Sequence, residues 1–134
     1  MSSLRMMKDG DEADTNVSWA DQQNINKFSK LNSRLYALEE EYSEKKKRLE
    51  LLEDVTSELE LCDEDELVKY QVGDAFVNAP YSQVQEWLER DTNEATSAVE
   101  KLKDEMDGVM AKMDELKAIL YKRFGNSINL ERSE

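Results

Sequence analysis

The stretch Leu67-Val-Lys-Tyr-Gln-Val-Gly-Asp-Ala-Phe-Val77 decides the fold. Val68, Tyr70 and Val72 alternate with Lys69 and Gln71, the two-residue period of a strand with one apolar face. Gly73-Asp74 then offers a two-residue turn with glycine at its first central position, where positive φ costs least, so the segment is predicted to be a β-hairpin. In that register Val72 lies opposite Ala75 and Tyr70 opposite Val77, while Phe76 sits on the other face beside Gln71. An isolated pair of strands is marginal in water, and its two free edges invite pairing with other chains. Val68, Tyr70, Val72, Gly73, Asp74, Phe76 and Val77 are therefore the candidate assembly residues.

Outward from the hairpin the period changes. On its N-terminal side Phe28, Leu31, Leu35, Leu38, Tyr42, Leu49, Leu52 and Leu59 fall three and four residues apart, with Lys45 and Thr56 completing the alternation. That is a heptad seam, and a lone Lys45 within it reads as a residue that fixes register or partner at some cost in stability. On the C-terminal side Leu88, Thr92, Ala95, Val99, Leu102, Met106, Val109, Met113, Leu116 and Leu120 repeat the pattern with Thr92 as the polar member. Two long helices of matched length, joined by a short connector, can fold back antiparallel and bury both seams. Ser18 with Asp21 forms a capping-box-like start for the first helix, Ser82 with Gln85 does so for the second, and Gly125 suits a C-terminal cap. The expected organisation is a disordered acidic tail over 1–16, a helix over 18–60, connector and hairpin over 61–81, a helix over 82–124 and a tail over 125–134. The fold class is all-α dominated: a long antiparallel two-helix coiled-coil hairpin with one β-hairpin at the bend.

Composition narrows the function. The formal net charge is −13 over 134 residues, which repels a phosphate backbone and anionic membranes alike and suits a basic partner surface or plain solubility. Cys62, the single cysteine, can build neither an internal disulfide framework nor a thiolate zinc site and fits a reducing compartment. The first ten residues lack an apolar core of signal-peptide length and no later stretch could span a bilayer, so a soluble chain is expected, cytoplasmic with nuclear access. The absence of histidine removes His-based acid–base chemistry and His metal sites. Gly10, Gly73, Gly108 and Gly125 are too scattered for a phosphate-cradling loop. Asp63-Glu-Asp-Glu66 lacks the spaced ligands and central glycine of a calcium loop and reads as a solvated connector, leaving a metal-assisted hydrolase on Asp63 and Asp65 with little behind it. Lys45-Lys-Lys-Arg48, set among Glu41, Glu44 and Glu50, reads as a salt-bridged helix face. No catalytic residue, metal or cofactor is expected.

Three segments carry a more specific likeness: Ser18-Trp-Ala-Asp-Gln-Gln-Asn-Ile-Asn-Lys-Phe28, Tyr70-Gln-Val-Gly-Asp-Ala-Phe76 and Leu120-Tyr-Lys-Arg-Phe-Gly-Asn-Ser-Ile-Asn-Leu-Glu131. With them the chain, from about Val17 to Glu131, resembles the subunit 4 family of eukaryotic prefoldin. The resemblance implies a β-type subunit, with one hairpin between two helices, in a heterohexamer of two α-type and four β-type chains. Hairpins of that family assemble into a double β-barrel between subunits, and the coiled coils project as tentacles. Their free ends hold unfolded actin and tubulin for transfer to the cytosolic chaperonin, without ATP or metal.

A reversal at the hairpin would bring both chain ends together at one tip. A simple antiparallel count sets Phe28 opposite Met113 to Leu116, and Trp19 opposite Phe124. If the last turns splay, Ile25, Phe28, Leu31, Leu120, Tyr121 and Phe124 become an apolar patch without a core, which makes them candidate client contacts. Ile128 and Leu130, beyond the helix stop, either join that surface or dock back on the tip. The competing reading is a coiled-coil scaffold in which the same residues only close the helix pair.

Overall fold

The computed structural model describes residues 5–6, 18–125 and 128–130. In chain order the elements are β1 (Arg5–Met6), α1 (Trp19–Glu60), β2 (Leu67–Val72), β3 (Ala75–Pro80), α2 (Tyr81–Phe124) and β4 (Ile128–Asn129). Contacts divide the chain into a terminal unit, residues 1–39 with 104–134, and a hairpin unit, residues 40–103.

In the terminal unit α1 opens with a reciprocal capping box. The Asp21 amide donates to Ser18 Oγ at 3.0 Å, and the Ser18 amide donates to Asp21 Oδ2 at 3.2 Å, so two amides that the helix cannot satisfy find partners. The core beyond it joins Ile25, Phe28 and Leu35 of α1 to Met113, Leu120 and Phe124 of α2. Because the start of α1 packs on the end of α2, the helices run antiparallel within this unit. Lys122 and Arg123 in the last turn of α2 complement its negative end, and Gly125, at φ 58°, follows that turn in the left-handed region. The chain then returns: β4 pairs antiparallel with β1, Arg5 opposite Asn129 and Met6 opposite Ile128, and Leu130 is buried in the same core. The expected disordered tail over 1–16 is thus corrected at Arg5–Met6, whose backbone finds a strand partner. The rest of that expectation, up to residue 16, lies outside the described residues.

The hairpin unit has its own core: Leu52 and Leu59 of α1, Val84, Leu88 and Ala95 of α2, and Tyr70 and Ala79 of the strands. β2 and β3 pair antiparallel with Val72 opposite Ala75, Gln71 opposite Phe76 and Tyr70 opposite Val77, the register that the alternation predicts. Gly73 takes φ 62° at the turn, and no residue other than glycine has positive φ among the described residues, a pattern that matches the turn with glycine in first place. α1 ends without a glycine. The Leu61 and Cys62 amides donate to the carbonyls of Glu58 and Leu59, tightening the last turn, and the Asp65 amide then donates to Asp63 Oδ1 at 3.1 Å.

Three sequence readings change here. α2 begins at Tyr81, directly after Pro80, so Ser82 lies inside its first turn instead of capping it. Lys45 and Thr56, read as seam positions of α1, are exposed. A lysine ammonium gains more from water than from an apolar seam. The Thr56 hydroxyl donates to the Leu52 carbonyl at 2.9 Å, and neighbouring Val55 is half-buried against the hairpin core. The α2 seam, by contrast, has every predicted position buried or half-buried, Thr92 included.

Thr92 Oγ1 is buried with no hydrogen-bond partner among the described residues. An unpaired buried hydroxyl costs about 1–3 kcal/mol, while valine has nearly the same shape. Thr92→Val is expected to raise the stability of the hairpin unit by about 1 kcal/mol, read as a higher urea midpoint with an unchanged slope; a lowered midpoint would show that the hydroxyl has a partner in solution.

Candidate functional site

The hairpin has one anchored half and one open half. Tyr70 is 5% exposed. Its hydroxyl donates to Asp91 Oδ2 at 2.8 Å, and its ring lies 6.1 Å from that of Trp87, tilted by 33°. Asp91 Oδ1 in turn accepts from Arg90 at 3.2 Å. Burial and the hydrogen bond to the Asp91 carboxylate push the Tyr70 phenol up to about 12. Tyr70 therefore anchors β2 to α2 of its own chain, and half-buried Val68 packs on the same core. Their expected place on the open assembly surface is corrected for that reason: a tyrosine ring is buried where its hydroxyl meets an acceptor, and Asp91 provides one.

The other half faces outward. Phe76 is 62% exposed and Val72 49%, with Val77 and Leu67 also open, while Gly73 and Asp74 form the exposed turn. Lys69 Nζ stands 5.9 Å from the centroid of the Phe76 ring and partly covers it. The sheet has two strands, so each strand leaves one edge without a strand partner among the described residues. On the α1 side a groove lined by Leu51, Val55, Tyr70, Gln71 and Phe76 continues this surface. Exposed aromatic and branched side chains next to unpaired backbone are what a hairpin needs for joining a larger sheet.

In the terminal unit the candidate client residues are brought together but closed. Ile25, Phe28, Leu120, Phe124 and Leu130 are buried, Leu120 completely, and Leu31 and Tyr121 pack against them. Leu130 docks back on the core, and Ile128 lies in β4. The splayed patch expected of this end is therefore not open in this structure, because both helices keep their apolar stripes in contact up to Phe124. Phe28 and Met113 share one core as the antiparallel count requires, but Trp19, counted opposite Phe124, is 79% exposed.

Asp21 takes the inward place instead, its Oδ2 accepting from Arg123 Nε at 3.0 Å. Burial alone would raise its pKa. The hydrogen bonds from the Ser18 amide and hydroxyl and from Arg123 outweigh this and hold the carboxyl below the usual carboxylate range. Arg34 and Glu105 form a second ion pair across the helices of this unit. Sequence patterning identified Asp21 as a cap and not as the partner of a residue 102 positions away. The signal was nonetheless partly present, since the count that sets residue 19 against 124 puts Asp21 opposite Lys122, one residue from Arg123. Among the described residues no group of three Cys, Asp or Glu side chains is placed to hold a metal ion, and no helix is long and apolar enough to cross a membrane.

Two long helices joined through a single anchored β-hairpin with an open end define a subunit built to share its sheet. A family profile described as "Prefoldin subunit" matches residues 22–127. The chain is 43% identical to prefoldin subunit 4 of Saccharomyces cerevisiae over 129 residues, 96% of this chain and 100% of the relative. It is 38% identical to prefoldin subunit 4 of Homo sapiens and of Bos taurus, covering 96% of each chain. The fold is also that of the prefoldin beta subunit from Thermococcus strain KS-1, with a TM-score of 0.74 at 15% identity, over 83% of this chain and 97% of that one. The chain belongs to the prefoldin subunit family. It is accordingly a co-chaperone subunit that associates with other prefoldin subunits.

Two titrations test these anchors. The raised Tyr70 pKa means that its contribution to stability is complete below the unfolded value near pH 10 and is lost as pH rises through about 12. Tyr70→Phe should lower the stability of the hairpin unit by about 1 kcal/mol at neutral pH, and the gap between the melting curves should close across that alkaline window; a constant gap would place the effect elsewhere. Asp21 has the opposite sign: its contribution is present above about pH 4 and fades as pH falls below it. Asp21→Asn should flatten the acid limb of terminal-unit stability, followed by hydrogen exchange of the first turn of α1, and an unchanged acid limb would refute the pairing with Arg123.

Proposed function

We propose that this chain is a non-enzymatic β-type subunit of a heterohexamer of two α-type and four β-type prefoldin chains. The complex works without ATP, holding unfolded actin and tubulin and delivering them to the cytosolic chaperonin. The observation that carries the assembly part is the open hairpin half, Val72, Phe76 and Val77 beside two free edges, which gains a β-barrel partner on joining neighbouring subunits. Family membership supports the holding role. A cytoplasmic address with nuclear access fits the single cysteine, Cys62, which is exposed and forms no disulfide.

Client contact through the buried Ile25, Phe28, Leu120, Phe124 and Leu130 then requires the terminal unit to open, whereas half-buried Leu31 and Tyr121 are partly accessible without it, and Ile128 completes the proposed client set. Client engages the open minority and draws the equilibrium toward it. Burial also changes the choice of variant. A serine at Phe28, Leu120 or Phe124 removes core contacts worth about 3–5 kcal/mol, so loss of holding by such a variant is confounded by loss of structure. The same closed core is the observation that favours the second reading, a coiled-coil scaffold without client holding.

Phe76→Glu tests assembly cleanly, since an exposed ring contributes little to the isolated chain. Native mass spectrometry with the other subunits is expected to give six-chain complexes containing one copy of the wild-type chain and at least about ten-fold less incorporation of the variant, at unchanged helical circular dichroism. Equal incorporation would remove the hairpin end from the interface. A wild-type hexamer that fails to suppress aggregation of denatured actin would favour the scaffold.

A further inference from the structure

The terminal unit carries one open groove that the buried core does not explain. It is lined by Lys27, Lys30 and Leu31 of α1 and by Lys112, Glu115 and Leu116 of α2. Each helix contributes positions i, i+3 and i+4, one face of a helix, so the two faces present the same arrangement: half-buried leucines as floor and charged side chains as rim. Leu31 and Leu116 pack on the buried core beneath. Lys27, Lys30 and Lys112 are exposed, and none forms an ion pair among the described residues. With three lysines against the single carboxylate of Glu115, the groove is locally cationic in a chain of 31 acidic and 18 basic residues. A partly accessible apolar floor and a locally positive rim thus stand at one place.

We infer that this groove is a binding site for extended segments of non-native protein in which an apolar side chain is flanked by aspartate or glutamate. The inference rests on the holding role proposed above and names the class of segment held. The apolar side chain sits on Leu31 and Leu116, and the flanking carboxylates meet Lys27 and Lys30 on one bank and Lys112 on the other. Glu115 keeps the rim from being uniformly cationic and accepts from a backbone amide of the extended segment. A purely acidic stretch leaves the floor uncovered, and a purely apolar one leaves the lysines unpaired, so the groove selects the combination. Engagement here needs no opening of the core, because both leucines and all three lysines are already accessible.

The test uses the full chain assembled with its partner subunits and two fluorescein-labelled extended peptides, identical in their leucines but flanked either by Asp and Glu or by Asn and Gln. By fluorescence anisotropy at low salt the acidic peptide is expected to bind about ten-fold more tightly, with the difference shrinking as salt is raised. The triple variant Lys27→Ser, Lys30→Ser, Lys112→Ser is expected to abolish that preference and leave the neutral peptide's affinity unchanged. Should the triple variant fail to assemble, Lys112→Ser alone is read, with a partial loss of preference expected. Equal affinity for the two peptides, or a preference that survives the substitutions, overturns the inference. So does displacement of the acidic peptide by a short single-stranded RNA of equal charge, which would mark a general polyanion surface. If the wild-type complex still suppresses client aggregation but shows no acidic preference, the groove assignment alone fails. If it assembles, binds neither peptide and leaves aggregation unchecked, the holding role fails with it.

Discussion

Neither long helix can bury its own apolar stripe, and each core of this chain is assembled from residues far apart in sequence. Phe28 meets Leu120, and Leu59 meets Val84, only because the chain reverses between them. The reversal therefore has to be fixed by something stronger than a flexible loop. The hairpin does this by placing Tyr70 and Ala79 in the core with the helices, so that turn, strands and helix ends stabilise one another. Its remaining apolar side chains have no room in that core and stay in water, which ties the stability of the single chain to an unsatisfied surface available for assembly.

The fold was legible because each element announces itself by a different period. Two-residue alternation with Gly73 at its end identified the hairpin to the exact pairing of Val72 with Ala75, and the three-four spacing identified both helices. What the pattern misjudged were positions where a strict heptad and the real helix part company. Lys45 and Thr56 fit the seven-residue count but not the requirement that a seam residue be content away from water. The start of α2 was misjudged by one residue because Pro80 and Ser82 both resemble entry signals, and a proline with fixed φ leads directly into the first turn.

The candidate site was legible in membership more than in state. Apolar residues near the two helix ends were correctly gathered at one place, yet whether such a cluster is open or closed depends on side-chain contacts across the helix pair, which a one-dimensional pattern does not contain. The same limit hid the lysine-rimmed groove: Lys27, Lys30 and Lys112 look like ordinary solvated positions until the antiparallel register brings them to opposite banks. Tyr70 was mistaken for assembly surface because alternation assigns a face without saying what stands against it. Asp91 and Trp87, on α2, settle that question.

The shared carboxylate of Asp21 has a kinetic consequence. A helix end ordinarily frays residue by residue, each step independent of what happens on the neighbouring helix. Here the first turn of α1 and the last turn of α2 hold the same group, through Ser18 on one side and Arg123 on the other. Loosening the first turn of α1 discards the Arg123 contact together with both capping bonds, so the start of α1 cannot fray without giving up its hold on the end of α2. Opening from the α1 side is therefore rarer than the fraying of an ordinary capped end, because a cap and an inter-helix pair are lost in the same step.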